Sequence, residues 1–126
     1  MNRAFRWAAA ASVAFLLCAA APAGAIGGKD DPIVVGPHVY TLNFENEKVR
    51  VCNIRFAPGD KIGMHSHPDH FVYVLTPGML RLSYPDGKTQ EFAGKTGDVA
   101  WIPAESHAAE NIGTTEFSAI VVELKK

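Results

Sequence analysis

The sequence of 126 residues is poor in cysteine, with 2, and has little excess charge of either sign. Its 12 lysines and arginines against 13 aspartates and glutamates give a formal net charge of −1. A charge so close to zero argues against a nucleic-acid groove as the main surface. The 48% share of hydrophobic residues excludes a disordered or collagen-like chain and favours one compact domain.

The N-terminal stretch does not have the pattern of a folded domain. Arg3 and Arg6 give it a positive start, residues 7–21 are apolar, and Ala25 ends a short run of small residues. This order predicts a signal peptide over residues 1–25, cleaved after Ala25. The protein is therefore expected to be periplasmic or secreted.

Two other interpretations of this stretch are weaker. An uncleaved membrane anchor would need a longer apolar stretch without a Pro and Gly end. A lipid anchor on Cys18 is disfavoured because Leu17 is bulky where such sites need a small residue.

Once the signal is removed, Cys52 is the single cysteine, so no intramolecular disulfide can form. We expect Cys52 to be a buried, unreactive thiol, because it lies in a strand-like run.

The chain after the signal begins with a segment of turn-forming residues. Residues 26–37 contain three glycines and two prolines and have no sustained hydrophobic period. This composition predicts a flexible N-terminal arm, either a tether or a loosely docked segment. No later apolar run is long enough to cross a bilayer, so we expect no membrane contact after cleavage.

From residue 38 onward the pattern is typical of an all-β domain. Short runs rich in Val, Ile, Phe, Tyr and Thr are separated by turn residues about every eight to twelve positions. In one run, Arg50, Cys52 and Ile54 are expected to share one face of the strand. The pattern shows no convincing helical period and no internal repeat. The predicted strands cover residues 38–44, 48–56, 71–75 (as a buried strand), 79–84, 88–92, 98–102, 106–111 and 116–124.

A histidine cluster lies directly before the strand predicted at residues 71–75. Three of the five histidines, His65, His67 and His70, fall within six residues. Side chains two positions apart point to the same side of an extended backbone, so the first two imidazoles can converge on one point. Imidazole is the commonest protein ligand for transition metals, which favours a metal site. The alternative is a polar turn, set by Pro68 and Asp69, with solvated histidines.

Two spaced motifs place this cluster in a wider pattern. The first contains Gly59, His65, His67 and Gly78, and the second contains Gly97, Pro103, His107 and Asn111. Together they resemble the two-part signature of the cupins, small β-barrels of the double-sheet jelly-roll kind. The resemblance implies a cupin domain over residues 38–126.

The sequence lacks the glutamate of the first family motif. Alignment on the following strand puts His70 there, whereas counting back from Gly78 puts Phe71 there. The second motif is also one residue short, with Glu105 and Ser106 where a glycine-containing turn is expected.

The resemblance implies a metal centre built from four histidines. The expected ligands are His65, His67 and His107, with His70 in place of the glutamate. They would hold one divalent transition metal ion, Mn, Fe, Ni, Cu or Zn. The alternative is a metal-free cupin whose histidines line a polar pocket. Asp69 or Glu105 could supply an oxygen ligand, but we expect both to orient a histidine instead.

Four neutral imidazoles would leave about two units of positive charge uncompensated, so the centre should attract anions. The resemblance implies a metal-dependent oxygenase, such as a dioxygenase, acting on a small anionic or enolisable organic molecule. The alternative is a non-catalytic periplasmic module that binds a small ligand or the metal. The histidine segment also looks like that of small cupins assigned to β-alanine degradation. Cupins of this size commonly pair through strand edges, so we expect a homodimer.

Several further side chains have an expected structural role. Four large side chains are expected in the core rather than in a substrate pocket: Phe56, Met64, Tyr73 and Trp101. Asn111 is expected to close a strand end through backbone hydrogen bonds. Glu45 and Glu47 are expected to be solvated, and His38 has no place in the proposed ligand set.

Overall fold

The computed structural model describes residues 26–126. A single helical turn is followed by nine strands within this range: α1 (Pro32–Val35), β1 (Tyr40–Glu45), β2 (Val49–Phe56), β3 (Lys61–His67), β4 (His70–Thr76), β5 (Gly78–Ser83), β6 (Thr89–Gly94), β7 (Val99–Ile102), β8 (Glu105–Asn111) and β9 (Phe117–Leu124). Over the same range, no helix has the length and apolar character to span a membrane.

The nine strands form two antiparallel sheets. The five-stranded sheet has the order β1-β2-β9-β4-β7, and the four-stranded sheet has the order β3-β8-β5-β6. Neighbouring strands in each sheet are mostly far apart in sequence, so the two sheets close over one shared interior. This arrangement confirms the predicted double-sheet jelly roll.

Strand β3 was not among the strands predicted from hydrophobic patterning. Its buried residues are Ile62, His65 and His67, so the inward positions do not keep a period of two. A register shift between Ile62 and His65 explains this, because a bulge moves the later residues to the opposite face. The bulge turns both histidines of the strand toward the interior.

The core lies between the two sheets. On β2, Arg50, Cys52 and Ile54 share the buried face, as predicted. The largest apolar side chains of this core, Phe56 and Phe117, are each 1% exposed, and burying a phenyl ring of this kind stabilises the fold by about 1.5–3 kcal/mol. Burial raises the pKa of the Cys52 thiol to about 11. The thiol is therefore protonated and unreactive at neutral pH.

The N-terminal segment is docked on the barrel, which is one of the two forms that its composition predicts. Helix α1 is capped by Asp31, whose carboxylate accepts a hydrogen bond of 2.9 Å from the Ile33 amide. The Asp30 carbonyl accepts one of 2.8 Å from the Ser66 amide of β3. A Cβ atom on Gly36 would lie 2.2 Å from the Cδ1 atom of Ile62, so this glycine permits close packing. The segment is docked on the barrel by polar contacts that hydrophobic patterning does not reveal.

Three of the four large side chains expected in the core lie at the surface instead. Phe56 is buried, but Met64, Tyr73 and Trp101 are 44%, 40% and 56% exposed. The strand predicted as buried at residues 71–75 likewise buries only Val74 completely. Because β4 has its second face toward solvent, alternate residues of an apolar run remain outside.

Polar side chains near the strand ends also have defined partners. The amide of Asn111 donates to the Phe56 and Thr115 carbonyls at 2.9 Å each, and its oxygen accepts from the Gly113 amide. This confirms its predicted structural role. Glu45 forms an ion pair with Lys125 rather than being free in solvent.

We predict that Asn111→Ala destabilises the protein by about 2–3 kcal/mol, because it leaves buried backbone groups without partners. Asn43 makes one long, exposed hydrogen bond of 3.4 Å to Asn53, so Asn43→Ala is the matched control and should change stability by less than about 0.5 kcal/mol. Urea unfolding measures both. Equal stability of the two variants would contradict the role assigned to Asn111.

Candidate metal centre

Three histidines on two neighbouring strands converge in the interior of the barrel. His65 and His67 lie on β3, and His107 lies on β8 directly opposite His65 in the strand register. The ring centroid of His65 is 4.8 Å from that of His67 and 4.7 Å from that of His107. One ligand atom from each of the three lies within 4.8 Å of the others. Three buried imidazoles are thus arranged so that they can hold one metal ion.

A buried nitrogen without a partner tests whether this arrangement fits a metal. The Nδ1 atom of His65 lies 2.8 Å from the Gly63 carbonyl, so it carries the proton and donates it. The Nε2 atom then carries a lone pair and no proton, and it is buried with no hydrogen-bond partner among the described residues. An unsatisfied buried polar atom costs about 1–3 kcal/mol. Coordination of a cation would satisfy it.

Carboxylates orient the other two imidazoles. The Nδ1 atom of His67 donates to the Glu123 Oε1 atom at 2.7 Å. The Nδ1 atom of His107 donates to the Glu105 Oε1 atom, also at 2.7 Å. A carboxylate acceptor requires the proton on Nδ1 and leaves the Nε2 lone pair for a metal. All three histidines therefore have the tautomer that suits coordination.

The structure places His70 beside this group but outside it. Its ring centroid is 4.5 Å from that of His67, and its Nδ1 atom donates to the Pro68 carbonyl at 2.8 Å. The convergent set within the described residues consists of His65, His67 and His107. A fourth ligand at His70 stays a prediction.

The expected supporting roles divide between two acidic residues. Glu105 orients His107, as predicted. Asp69 makes no hydrogen bond to a histidine within residues 26–126. Its Oδ1 atom instead accepts a hydrogen bond of 2.9 Å from the Ala104 amide and closes a loop. His38 is exposed and contacts the Lys61 carbonyl through Nε2 at 2.9 Å.

Sequence reasoning missed the acid that orients His67. Glu123 is 1% exposed and shares the inward face of β9 with the core residues Ala119 and Val121. Its other oxygen accepts from the Nε and Nη2 atoms of Arg50, each at 2.6 Å. The sequence did contain a signal. Arg50 on β2 and Glu123 on β9 each occupy a position that alternates with buried apolar residues, and charged residues rarely face inward unless they are paired.

Burial favours the neutral form of His65, His67 and His70. Desolvation, with a smaller effect of the nearby His107, lowers the pKa of His65 from 6.5 to about 4. Desolvation also lowers the pKa values of His67 and His70. Neutral imidazoles are the form that binds a metal, so these ligands need not release protons at neutral pH.

The surrounding charges change the expected electrostatics of the site. Burial raises the pKa of Glu123, and its contacts with Arg50 oppose that shift. With Arg50 balanced by Asp31, the carboxylates of Glu123 and Glu105 supply two negative charges next to the imidazoles. They reduce the excess positive charge expected from a divalent ion on imidazole ligands alone, because they lie one hydrogen bond behind the ligands. The preference of the centre for an anionic molecule stays a prediction.

A cavity of about 530 Å³ extends from the histidines between the two sheets. Its wall includes His67, His70 and His107, with Tyr84 close to His107 at a ring-centroid distance of 6.3 Å. Most of the remaining wall is aliphatic or aromatic, and no lysine or arginine lines it within the described residues. A small organic molecule could bind next to His67 and His107 in a largely apolar environment.

The fold and the site define a small jelly-roll barrel with a three-histidine centre of the metal-binding type. Residues 53–123 match the cupin domain family, and the chain belongs to that family.

Solved structures agree with this assignment. A cupin domain from Bordetella pertussis Tohama I has a TM-score of 0.65 and 32% identity, over 70% of this chain and 93% of that one. A cupin superfamily protein from Desulfitobacterium hafniense DCB-2 has a TM-score of 0.54 and 18% identity, over 70% and 77% of the two chains. The second similarity concerns the fold alone.

A curated relative has a narrower match. The Beta-alanine degradation protein BauB of Pseudomonas aeruginosa is 44% identical over 50 residues, which are 39% of this chain and 53% of that protein. The chain therefore spans about half the length of this relative.

We predict that the metal-free protein loses stability as the pH falls from about 6.5 toward 4. The folded pKa of His65 is below its unfolded value, so the unfolded state binds the proton more tightly in this window. The His65 shift alone corresponds to about 3 kcal/mol. Urea unfolding in the presence of a chelator measures the effect, and His65→Asn should reduce the pH dependence. An unfolding free energy that is constant between pH 7 and pH 4 would contradict this account.

Proposed function

We propose that this cupin is a metal-dependent oxygenase, of the dioxygenase kind, that acts on a small anionic or enolisable organic molecule. The observation that supports the proposal is the buried, unpartnered Nε2 atom of His65, together with the convergence of His67 and His107 on it. A divalent transition metal held by these three imidazoles would supply Lewis acidity and, for a redox-active ion, a route for electrons from the substrate to O₂.

The residues of the chain would bind and orient the substrate around that centre. The apolar wall of the cavity would hold the body of the molecule and exclude water. His70 and Tyr84 are polar groups of the wall outside the three-histidine set. The Nδ1–H group of His70 donates to the Pro68 carbonyl and the Tyr84 hydroxyl donates to Gln90 at 3.1 Å, so the His70 Nε2 atom and the Tyr84 oxygen would accept hydrogen bonds from an enol hydroxyl. The carboxylates of Glu105 and Glu123 would keep the ligand imidazoles fixed.

The lining of the cavity narrows the class of substrate. Because no lysine or arginine lines it within residues 26–126, a second anionic group remote from the centre would have no cationic partner. Diketones and other enolisable carbonyl compounds with an apolar body fit better than dicarboxylates. The β-alanine degradation relative adds enolisable carbonyl acids to the substrates worth testing, although its name specifies no reaction.

We expect the purified protein to contain about one equivalent of Mn, Fe, Ni, Cu or Zn and to consume oxygen with an enolisable substrate. Elemental analysis and an oxygen electrode measure these properties across diketones, carbonyl acids and thiol acids. His107→Ala should lose most of the metal, whereas His38→Ala should retain both metal and activity. Bound metal without turnover would instead support a non-catalytic binding module.

The cellular location is part of the proposal. Residues 1–25, with their positive start, apolar stretch and small-residue end, support export to the periplasm or the medium after cleavage. These residues lie outside the part of the chain that the structure describes.

We also propose a homodimer through the outer face of the five-stranded sheet. Apolar residues form a row across all five strands: Phe44, Val51, Val122, Phe71 and Trp101, which are paired in register. Phe44 and Trp101 at its two ends are 53% and 56% exposed. A continuous apolar row of this kind is typical of a contact surface.

Light scattering after size exclusion should give twice the mass of one chain. Trp101→Glu should shift the protein toward the monomer, because it places a charge in the apolar row. Lys88→Glu, in the turn between β5 and β6, is the control and should not change the mass. A monomeric wild-type protein would overturn the dimer proposal.

A further inference from the structure

We infer that Asp31 and Arg50 are positioning residues of the metal centre, through which the docked N-terminal segment (residues 27–36) sets metal affinity. The inference rests on the proposed metal-binding function. Arg50 donates from Nη1 to the Asp31 Oδ2 atom at 2.6 Å and from Nε to the Glu123 Oε2 atom at 2.6 Å. Glu123 in turn accepts from the Nδ1 atom of His67 at 2.7 Å. An unbroken chain of charged contacts thus joins the segment to a predicted ligand.

The members of this chain are shielded from solvent. Asp31, Arg50 and Glu123 are 3%, 4% and 1% exposed. Charge-assisted hydrogen bonds in such an environment are strong, and a bound partner cannot readily be replaced by water. The Nε and Nη2 atoms of Arg50 both contact the Oε2 atom of Glu123 and hold it in place. The Oε1 atom is thereby directed at His67. The orientation of the His67 ring therefore depends on where Arg50 lies.

The position of Arg50 depends in turn on the N-terminal segment. The Asp31 carboxylate also accepts hydrogen bonds from the Gly27 and Ile33 amides, so its place is set by the conformation of residues 27–33. If the segment undocked, Arg50 would lose one of its two carboxylates and would be free to change its contacts with Glu123. Undocking would thus disturb the support of His67.

A second contact ties the same segment to the strand that carries two of the histidines. The Asp30 carbonyl accepts from the Ser66 amide at 2.8 Å, and Ser66 lies between His65 and His67 on β3. Ser66 also contacts Ser106 of β8 through its hydroxyl at 2.7 Å. The segment therefore reaches the centre by two routes, through the free edge of β3 and through Arg50 in the interior.

Energetic coupling between two sites is reciprocal. If docking of the segment favours metal binding, metal binding must favour docking to the same degree. The amides of Gly27 and Ile33, which donate to Asp31, should therefore exchange with solvent more slowly when metal is bound.

The first test is Co²⁺ binding to the full protein and its variants, followed by the d–d absorption bands and by competition with a chelator. Asp31→Asn should weaken Co²⁺ binding roughly 10-fold to 100-fold, the range for residues behind metal ligands, and should shift the bands. Asp31→Glu keeps the charge and should recover part of the affinity. Arg81→Met removes an exposed ion pair with Glu91 and is the matched control, with no expected change.

The second test needs no variant, and it applies even if Asp31→Asn fails to fold. Hydrogen exchange of the wild-type protein is measured with and without Zn²⁺, and slower exchange at Gly27 and Ile33 supports the inference. Unchanged exchange there, or an Asp31→Asn variant with wild-type affinity and bands, overturns it while the metal site stands. A wild-type protein that binds neither Co²⁺ nor Zn²⁺ would overturn the proposed function as well.

Discussion

The structure depends on bringing three imidazoles out of water and onto one point. Burial of His65, His67 and His107 is costly for any protonated form, and desolvation holds the first two neutral. Each ring is tolerated because its Nδ1–H has an acceptor, a carbonyl for His65 and a carboxylate for the other two. What is left unsatisfied among the described residues is the Nε2 lone pair of His65, while that of His67 has only a long contact of 3.4 Å with the Tyr40 hydroxyl. Such an arrangement is unfavourable without a cation and favourable with one.

The two acids next to the centre lie behind the ligands rather than among them. Glu123 and Glu105 put negative charge next to the centre without occupying a coordination position. The bond from Glu123 to Arg50 extends this arrangement to Asp31 and so to the N-terminal segment. The charge balance of the site therefore depends on the N-terminal segment, β2 and β9 together. Because these charges lie behind the ligands, the wall of the cavity can remain largely apolar.

Local patterns in the sequence predicted an all-β domain and the shared face of His65 and His67, whereas the jelly roll and the part of His107 followed from the resemblance to the cupins. Alternating runs such as β2, and glycine- and proline-containing turns, indicate a sheet whichever partner each strand finds. The spacing of His65 and His67 predicts a shared face from backbone geometry alone. The surface positions of Met64, Tyr73 and Trp101 were not predictable in this way, since an apolar strand residue may face either a core or another surface.

The sequence by itself determined that the domain is a jelly-roll barrel and that histidines from two motifs supply its candidate metal ligands. Only the tertiary structure decided that Glu123 supports His67 and that the N-terminal segment is docked rather than a free tether. Arg50 and Glu123 are 73 positions apart, and β2 and β9 become neighbours only when the sheet closes. Pairing over such a distance depends on strand order and register, and these cannot be inferred from the spacing of residues within one segment.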